Sequence, residues 1–290
     1  MKFWQVASFS EPDQLLDIAR GAEQAGFHGV VLSDHLFFPG ELRSKYPYSE
    51  DGKPMFDGTM PFPDPWTTIA AMAAVTTRIH FGTLVYVLPL RHPLEVAKIV
   101  GTAALLSGDR VMLGCGAGWI REEFDAVGVD FATRGKRYDE MIDVMRKAWT
   151  GKMSEHKGRF FDLGSFQMSP PPRVPVPIWI GGIGEPALRR AATHGDGWIG
   201  NGQSPGDALA SLTRLRVLRE EAGRAALPFE ALVPLTTPPD ADVFKRLGDA
   251  GMTATTAWPF LYTLGPTSTA AQKRDAMLRF GDSVITKLTP

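Results

Sequence analysis

Eight short apolar runs, each followed by a stretch with helical spacing or helix-compatible composition, constrain this chain more than any other feature of its sequence. The runs lie at 2–8, 27–33, 79–87, 110–116, 178–182, 196–200, 229–235 and 252–258. Between them the helix signals are local and specific. Glu11-Pro12 opens a helix to about Ala25, with Gly26 in the usual stop position. Asp64-Pro65 supplies an N-cap carboxylate and a proline in the first turn of a helix to about Thr76. His92-Pro93 leads into a third helix to about Leu106, "RGKRYDEMIDVMRKAW" predicts one over 134–149, and two more are expected at 185–194 and 205–222.

Strands that alternate with helices imply a parallel sheet, and eight units in a 290-residue chain predict a closed (β/α)8 TIM barrel, read as one domain over 1–290. The competing open, doubly wound sheet normally places a glycine-rich turn after its first strand, whereas here that strand runs into "SFSEPD". Residues 150–176 break the rhythm. "KGRFFDLGSFQM" suits a hairpin, and "SPPPRVPVP" fits neither a helix interior nor a central strand because proline lacks the donor N–H, so this region reads as an insertion in the barrel.

Charge and cysteine content narrow the partners. With 31 Lys+Arg against 32 Asp+Glu and no long basic run, the chain carries no electrostatic footprint for nucleic acid, so small molecules are the expected partners. The single cysteine, Cys115, excludes an intrachain disulfide and a cysteine-rich zinc site, as expected of a reducing compartment, the cytoplasm. No stretch of 18 apolar residues and no leader-like N-terminus marks a membrane span or export.

In such a barrel the carboxyl ends of the strands face the active site. The second run, "VVLSDHLFFPG", ends there in Ser33, Asp34 and His35, and an imidazole at a catalytic rim suits proton transfer. Turn capping by Asp34 and a backbone hydrogen bond from His35 are the plainer alternative. His28, His80 and His156 read as structural or solvated, and His92 and His194 as residues bounding helices. The loop from Phe37 to Pro63 is too long for a simple connection, and Tyr46, Tyr48, Phe56 and Phe62 make it a substrate-covering wall. "GTLVYVLPLRHP" ends the third run with an apolar shelf. "GCGAGW" spaces Gly114, Gly116 and Gly118 two apart for close backbone approach, and "IGGIGEP" puts small residues before a helix N-terminus, a phosphate-type turn. No His-x-His pair ends the first strand, so no metal site is expected.

"SDHL", "GTLVYVLPLRHPLEVAK", "LSGDRVMLGCGAGWIREEF", "RGKRYDEMIDVMRKAW" and "PIWIGGIGEPALRRAATHGDGWI", in that order, resemble the bacterial luciferase-like monooxygenase superfamily, most closely its coenzyme F420-dependent oxidoreductases. The likeness spans about residues 2–200 and is weak over the last 80. It implies the barrel fold with an insertion, a deazaflavin cofactor, with FMN as the alternative, and an oxidoreductase acting on a small organic substrate. It implies further that Asp34 bonds the ring system and that His35 acts in proton transfer or substrate orientation. Thr83, Leu84 and Val85 would prop the ring at a bulge, often through a non-prolyl cis peptide, though Leu84 and Val85 also read as plain core. Gly181, Gly182 and Ile183 would bind phosphate, Gly116 and Gly118 would admit the cofactor, and Trp198, Ile199 and Asn201 would lie along it, with core packing the alternative for Ile199. Tyr46, Phe56, Trp119 and His35 are the expected substrate contacts. Where the family's sugar-phosphate dehydrogenases carry a catalytic glutamate this chain has Trp119, with Glu122 and Glu123 a helical turn later, which argues against sugar-phosphate oxidation; Glu122 is left to bond the cofactor or cap a helix, and a structural Trp119 is the alternative. Pairing through helices on one side of the barrel, common in the family, implies a homodimer. A non-catalytic flavin-binding protein and an FMN-dependent monooxygenase are the competing functions.

Overall fold

The computed structural model describes residues 1–265 and 267–288. In chain order the elements are β1 Lys2–Val6, α1 Leu15–Gln24, β2 Gly29–Leu32, α2 Pro65–Ala74, β3 His80–Thr83, β4 Tyr86–Val87, α3 Pro93–Ser107, β5 Val111–Gly116, α4 Arg121–Ala126 and α5 Arg134–Trp149. There follow β6 Ser154–Lys157, β7 Asp162–Phe166, β8 Ile178–Gly181, α6 Glu185–His194, β9 Gly197–Ile199, α7 Pro205–Glu221, β10 Glu230–Leu232, α8 Ala241–Asp249, β11 Ala254–Ala257, α9 Pro259–Leu264, α10 Ala270–Phe280 and α11 Thr286–Leu288.

The sheet runs β3-β2-β1-β11-β10-β9-β8-β5 with every pairing parallel, and β3 also pairs with β5, so eight strands close on themselves. The barrel expected from the alternation is therefore the fold. Closure rests on four register pairs between β1 and β11, from Lys2 with Ala254 to Gln5 with Ala257. Residues 79–87, expected as one strand, are two: the ladder breaks after Thr83 at the cis peptide Leu84-Val85 and resumes at Tyr86. Helix α4, absent from the sequence reading, occupies what looked like a loop between β5 and α5.

Several helix ends follow the sequence signals. Asp64 accepts a hydrogen bond from the Thr67 N–H at 2.7 Å, and Gly108 closes α3 in the left-handed conformation with φ +69°. Thr269 and Gln272 form a reciprocal capping box at the start of α10.

Two layers of apolar packing hold the barrel. Inside it Trp4, Val31, Met112, Trp179, Ile199 and Leu232 make a filled core, not a pore. Outside, a larger cluster lies between strands and helices and includes Ile18, Ile69, Phe81, Val100, Leu113 and Met145. The insertion is a hairpin of β6 and β7 set earlier than the stretch from Lys157 that suggested it. It is fixed to α5 by Glu140, which accepts from the N–H groups of Arg159, Phe160 and Phe161 and bonds His156 Nε2 at 3.0 Å. No helix among the described residues is long and apolar enough to cross a membrane.

Candidate active site

All eight barrel strands deliver residues to one cavity of about 830 Å3 at their carboxyl ends, among them Val6, Ser33, Leu84, Gly116, Gly181, Ile199, Pro234 and Thr256. That volume lies in the upper part of the usual range for small-molecule and cofactor sites. The loop over 33–64 covers it without forming helix or strand and contributes Tyr46, Tyr48, Phe56 and Phe62 to its lining.

The loop is held in place by a residue far along the chain. Glu122, in the first turn of α4, accepts from the Arg43 N–H at 2.7 Å, the Ser44 N–H at 3.1 Å and the Ser44 hydroxyl at 2.6 Å. Ser44 Oγ in turn accepts from the Arg121 N–H at 2.9 Å, capping a six-residue helix whose own N-cap, Ile120, has no side-chain oxygen to offer. Partial burial would raise the Glu122 carboxyl, but the Ser44 hydroxyl and the backbone donors outweigh it and bring it down to about 2. Glu122 is thus committed to the loop.

Its neighbour Glu123 is fully buried and anchors the rim. One carboxylate oxygen accepts from the Leu36 N–H at 2.5 Å and the other lies 3.0 Å from His35 Nδ1. An ionised carboxylate only accepts, so with Glu123 ionised Nδ1 donates to it, and in the uncharged tautomer of His35 that this selects Nε2 is the acceptor. His35 itself lines the cavity. Glu123 had no expected role. Its signal was a second acid beside Glu122, one helical turn after the glycine run.

Asp34 is at the rim as expected, but its carboxylate is already engaged. Arg91 meets it through both terminal nitrogens, at 2.5 and 2.8 Å, and the Val87 N–H donates at 2.9 Å. Burial pushes the Asp34 carboxyl up and outweighs Arg91 and the Val87 N–H, which pull it down, so the group ends above its ordinary value. Arg91, which burial alone would lower, is raised by Asp34, and a bidentate pair of this kind stays charged. Asp34 therefore ties β2 to the segment after β4, and Arg91, unremarked in the sequence, is its partner. Asp34 lines the cavity, where it was expected to bond the ring and help to manage the proton, and presents there a carboxylate that Arg91 and the Val87 N–H hold.

Leu84 and Val85 project into the cavity where the third strand breaks. Glycines make room for them: a Cβ on Gly116 or Gly181 would come within 2.7 or 2.5 Å of the Val85 side chain. Gly182 sits at φ +120° and Gly118 at φ +81°, conformations that other residues rarely adopt. Thr83 lies behind this wall, fully buried, its hydroxyl donating to the Gly114 carbonyl at 2.6 Å. Trp198 is likewise hidden, its indole N–H holding the Gly182 carbonyl at 2.7 Å, and Ile183 packs against the outer core. Thr83 and Trp198, expected as cofactor contacts, lie behind the cavity wall, while Ile183 is partly exposed between the lining residues Gly182 and Gly184. Ile199 and Asn201 do line it, and Asn201 hydrogen-bonds the Tyr46 hydroxyl, whose pKa burial raises.

Positive charge gathers at one part of the lining. Arg121 and Arg134 lie over the Phe131 ring at 4.7 and 3.7 Å, and neither has a carboxylate partner among the described residues. Arg190, paired with Asp139, completes the group, and burial together with repulsion from Arg121 and Arg190 lowers Arg134. Next to it the N-terminus of α6 follows Gly182 and Gly184. Cleared glycines, a helix N-terminus and guanidiniums short of counter-charge fit a planar, phosphorylated cofactor.

Comparison with known proteins agrees with this geometry. A protein of Mycobacterium tuberculosis described as uncharacterised is 38% identical over 290 residues, covering 99% of this chain and 100% of its own. The F420-dependent hydroxymycolic acid dehydrogenase of the same organism is 31% identical over 258 residues, 87% of this chain and 64% of that one. The F420-dependent tetrahydromethanopterin reductase of Methanopyrus kandleri superposes with a TM-score of 0.76 over 99% of both chains at 16% identity, a likeness of fold. The luciferase-like monooxygenase family model matches residues 4–272, and the chain belongs to that family.

Proposed function

We propose that the protein is an F420-dependent oxidoreductase acting on a small organic molecule in the cavity at the carboxyl ends of its strands. The observation that carries this reading is one cavity holding both an apolar bulge, Leu84-Val85, kept clear by glycines, and an imidazole fixed by a buried carboxylate. The F420 dependence carried in the name of the mycobacterial dehydrogenase relative supports deazaflavin over FMN. When bound, the deazaflavin would supply hydride transfer at its C5.

The chain's own residues divide the remaining work. Leu84, Val85 and Ile199 give the ring an apolar bed, while Gly182, the α6 N-terminus and Arg134 receive the phosphate. The tyrosine-bearing loop keeps water out, and burial holds Tyr46 and Tyr48 in their neutral forms. His35 Nε2 accepts or returns the substrate proton, and Glu123 keeps that nitrogen free.

Fluorescence titration with oxidised F420 and, in parallel, with FMN tests the assignment. The expected outcome is micromolar F420 binding with FMN at least tenfold weaker, about 1.4 kcal/mol. Tighter binding of FMN would move the protein to the flavin-dependent monooxygenases.

A further inference from the structure

We infer that the end of the cavity around His35 is a subsite for an uncharged, ring-bearing alcohol or its carbonyl counterpart, built by Phe9, Phe56, Phe62, Trp119 and Trp258. The choice of an alcohol–carbonyl pair rests on the redox reading above; the neutral, flat shape of the ligand rests on the rings alone.

The rings form one connected cage. Phe9 is stacked on Phe56 and on Trp258, with ring centroids 5.8 Å apart in each pair and planes within 26° and 27°. Phe62 meets Phe9 and Phe56 at 5.0 Å, and His35 lies 5.1 Å from Phe56, 5.5 Å from Phe62 and 5.9 Å from Trp119. All six side chains line the cavity and all are only partly buried. Phe9, Phe56, Phe62 and Trp119 belong to none of the protein's hydrophobic cores, so core packing does not account for them.

Phe9 also has φ +60°, a backbone conformation unusual for an aromatic residue, and its ring there contacts Phe56, Phe62 and Trp258. Strain of this kind collects at ligand sites, and here it carries the Phe9 ring into the stack.

Polar chemistry selects the ligand's functional group. Phenylalanine offers no polar atom and tryptophan only a donor, so His35 Nε2 is the one acceptor these six side chains present once Nδ1 is held by Glu123. A hydroxyl donating to Nε2, with its carbon skeleton against the rings, satisfies this wall. A phosphate or carboxylate gains no permanent charge partner from the five rings, and Arg121 and Arg134 are stacked on the Phe131 ring rather than on any of them.

The test uses the purified full chain without cofactor, titrated calorimetrically with 1-indanol in the absence and in the presence of glucose 6-phosphate. The expected result is saturable indanol binding in the low millimolar range or tighter that glucose 6-phosphate, received at the Arg134 end of the cavity, does not displace, and at least fivefold weaker indanol binding in Phe9→Ala. Should Phe9→Ala fail to fold, Phe56→Leu gives the same readout at a ring with an ordinary backbone. Displacement of indanol by glucose 6-phosphate, no detectable indanol binding, or unchanged indanol affinity in the folded variant would overturn the subsite. F420 is titrated separately, so loss of the cofactor assignment with indanol binding intact leaves the subsite standing.

Discussion

At the scale of single residues, the rim consists of two buried acids, each with a partner brought from far along the chain. Asp34 and Arg91 are 57 positions apart and Glu123 and His35 are 88 apart, so no local pattern pairs them. Removing one member of a buried ion pair costs more than the pair contributes, because the other charge is left without compensation. Arg91→Met is therefore expected to lower unfolding stability by about 3–5 kcal/mol in urea, and Asp34→Leu combined with Arg91→Met to recover much of it. Equal losses in the single and double variants would show that Arg91 acts through packing on Tyr86, over which it lies at 4.1 Å. That the second strand would end in an acid and an imidazole was legible in "LSDHL". That the acid is occupied by Arg91 and the imidazole is supported by Glu123 was not, because both partners arrive through the closure of the barrel.

At the scale of elements, α4 and the long loop depend on each other. The loop stands out in the sequence by its length and aromatic content, whereas α4 does not, having six residues and no capping side chain of its own. Glu122 joins them, and its carboxyl is held down to about 2 against an ordinary value of 4.5. A carboxyl depressed in the folded state stabilises above its unfolded value, and that stabilisation is lost as pH falls toward the folded value. Loop release is thus expected between pH 4.5 and about 2, read from the pH at which the Arg43 and Ser44 amide signals move in NMR spectra. A midpoint near 4.5 would mean that the tie does not form. The two aromatic contacts expected from this loop, Tyr46 and Phe56, do reach the cavity, because a loop tied at Arg43 and Ser44 must lay its apolar side chains over the barrel mouth.

At the scale of the whole molecule the two ends of the barrel differ in chemistry. The carboxyl ends carry the cavity, whereas His28 and His80, at the opposite ends of β2 and β3, stack with ring centroids 4.7 Å apart. Burial, and repulsion from His80 and Lys2, bring His28 down to about 4, and His80 is lowered as well. Between pH 6.5 and 4 the unfolded chain binds protons that the folded one refuses, so folding stability falls as pH drops through that window. Allowing for its partial exposure, His28 accounts for about 1–3 kcal/mol of the loss. Thermal unfolding from pH 7 to 4 should show it, and His28→Gln should flatten the slope; an unchanged slope would assign the effect elsewhere. The eight-unit alternation, the capping residues and the glycine spacing determined the barrel and which end of it works, because periodicity and backbone freedom are properties of the chain itself. Which side chains face the cavity was settled only in three dimensions. Thr83 and Trp198 sit on the expected strands yet lie behind the wall, Phe9 enters a site that no nearby motif announced, and Arg91 comes from the apolar shelf to hold Asp34. Side-chain direction and the pairing of distant charges depend on strand twist, register and closure, which no stretch of sequence carries alone.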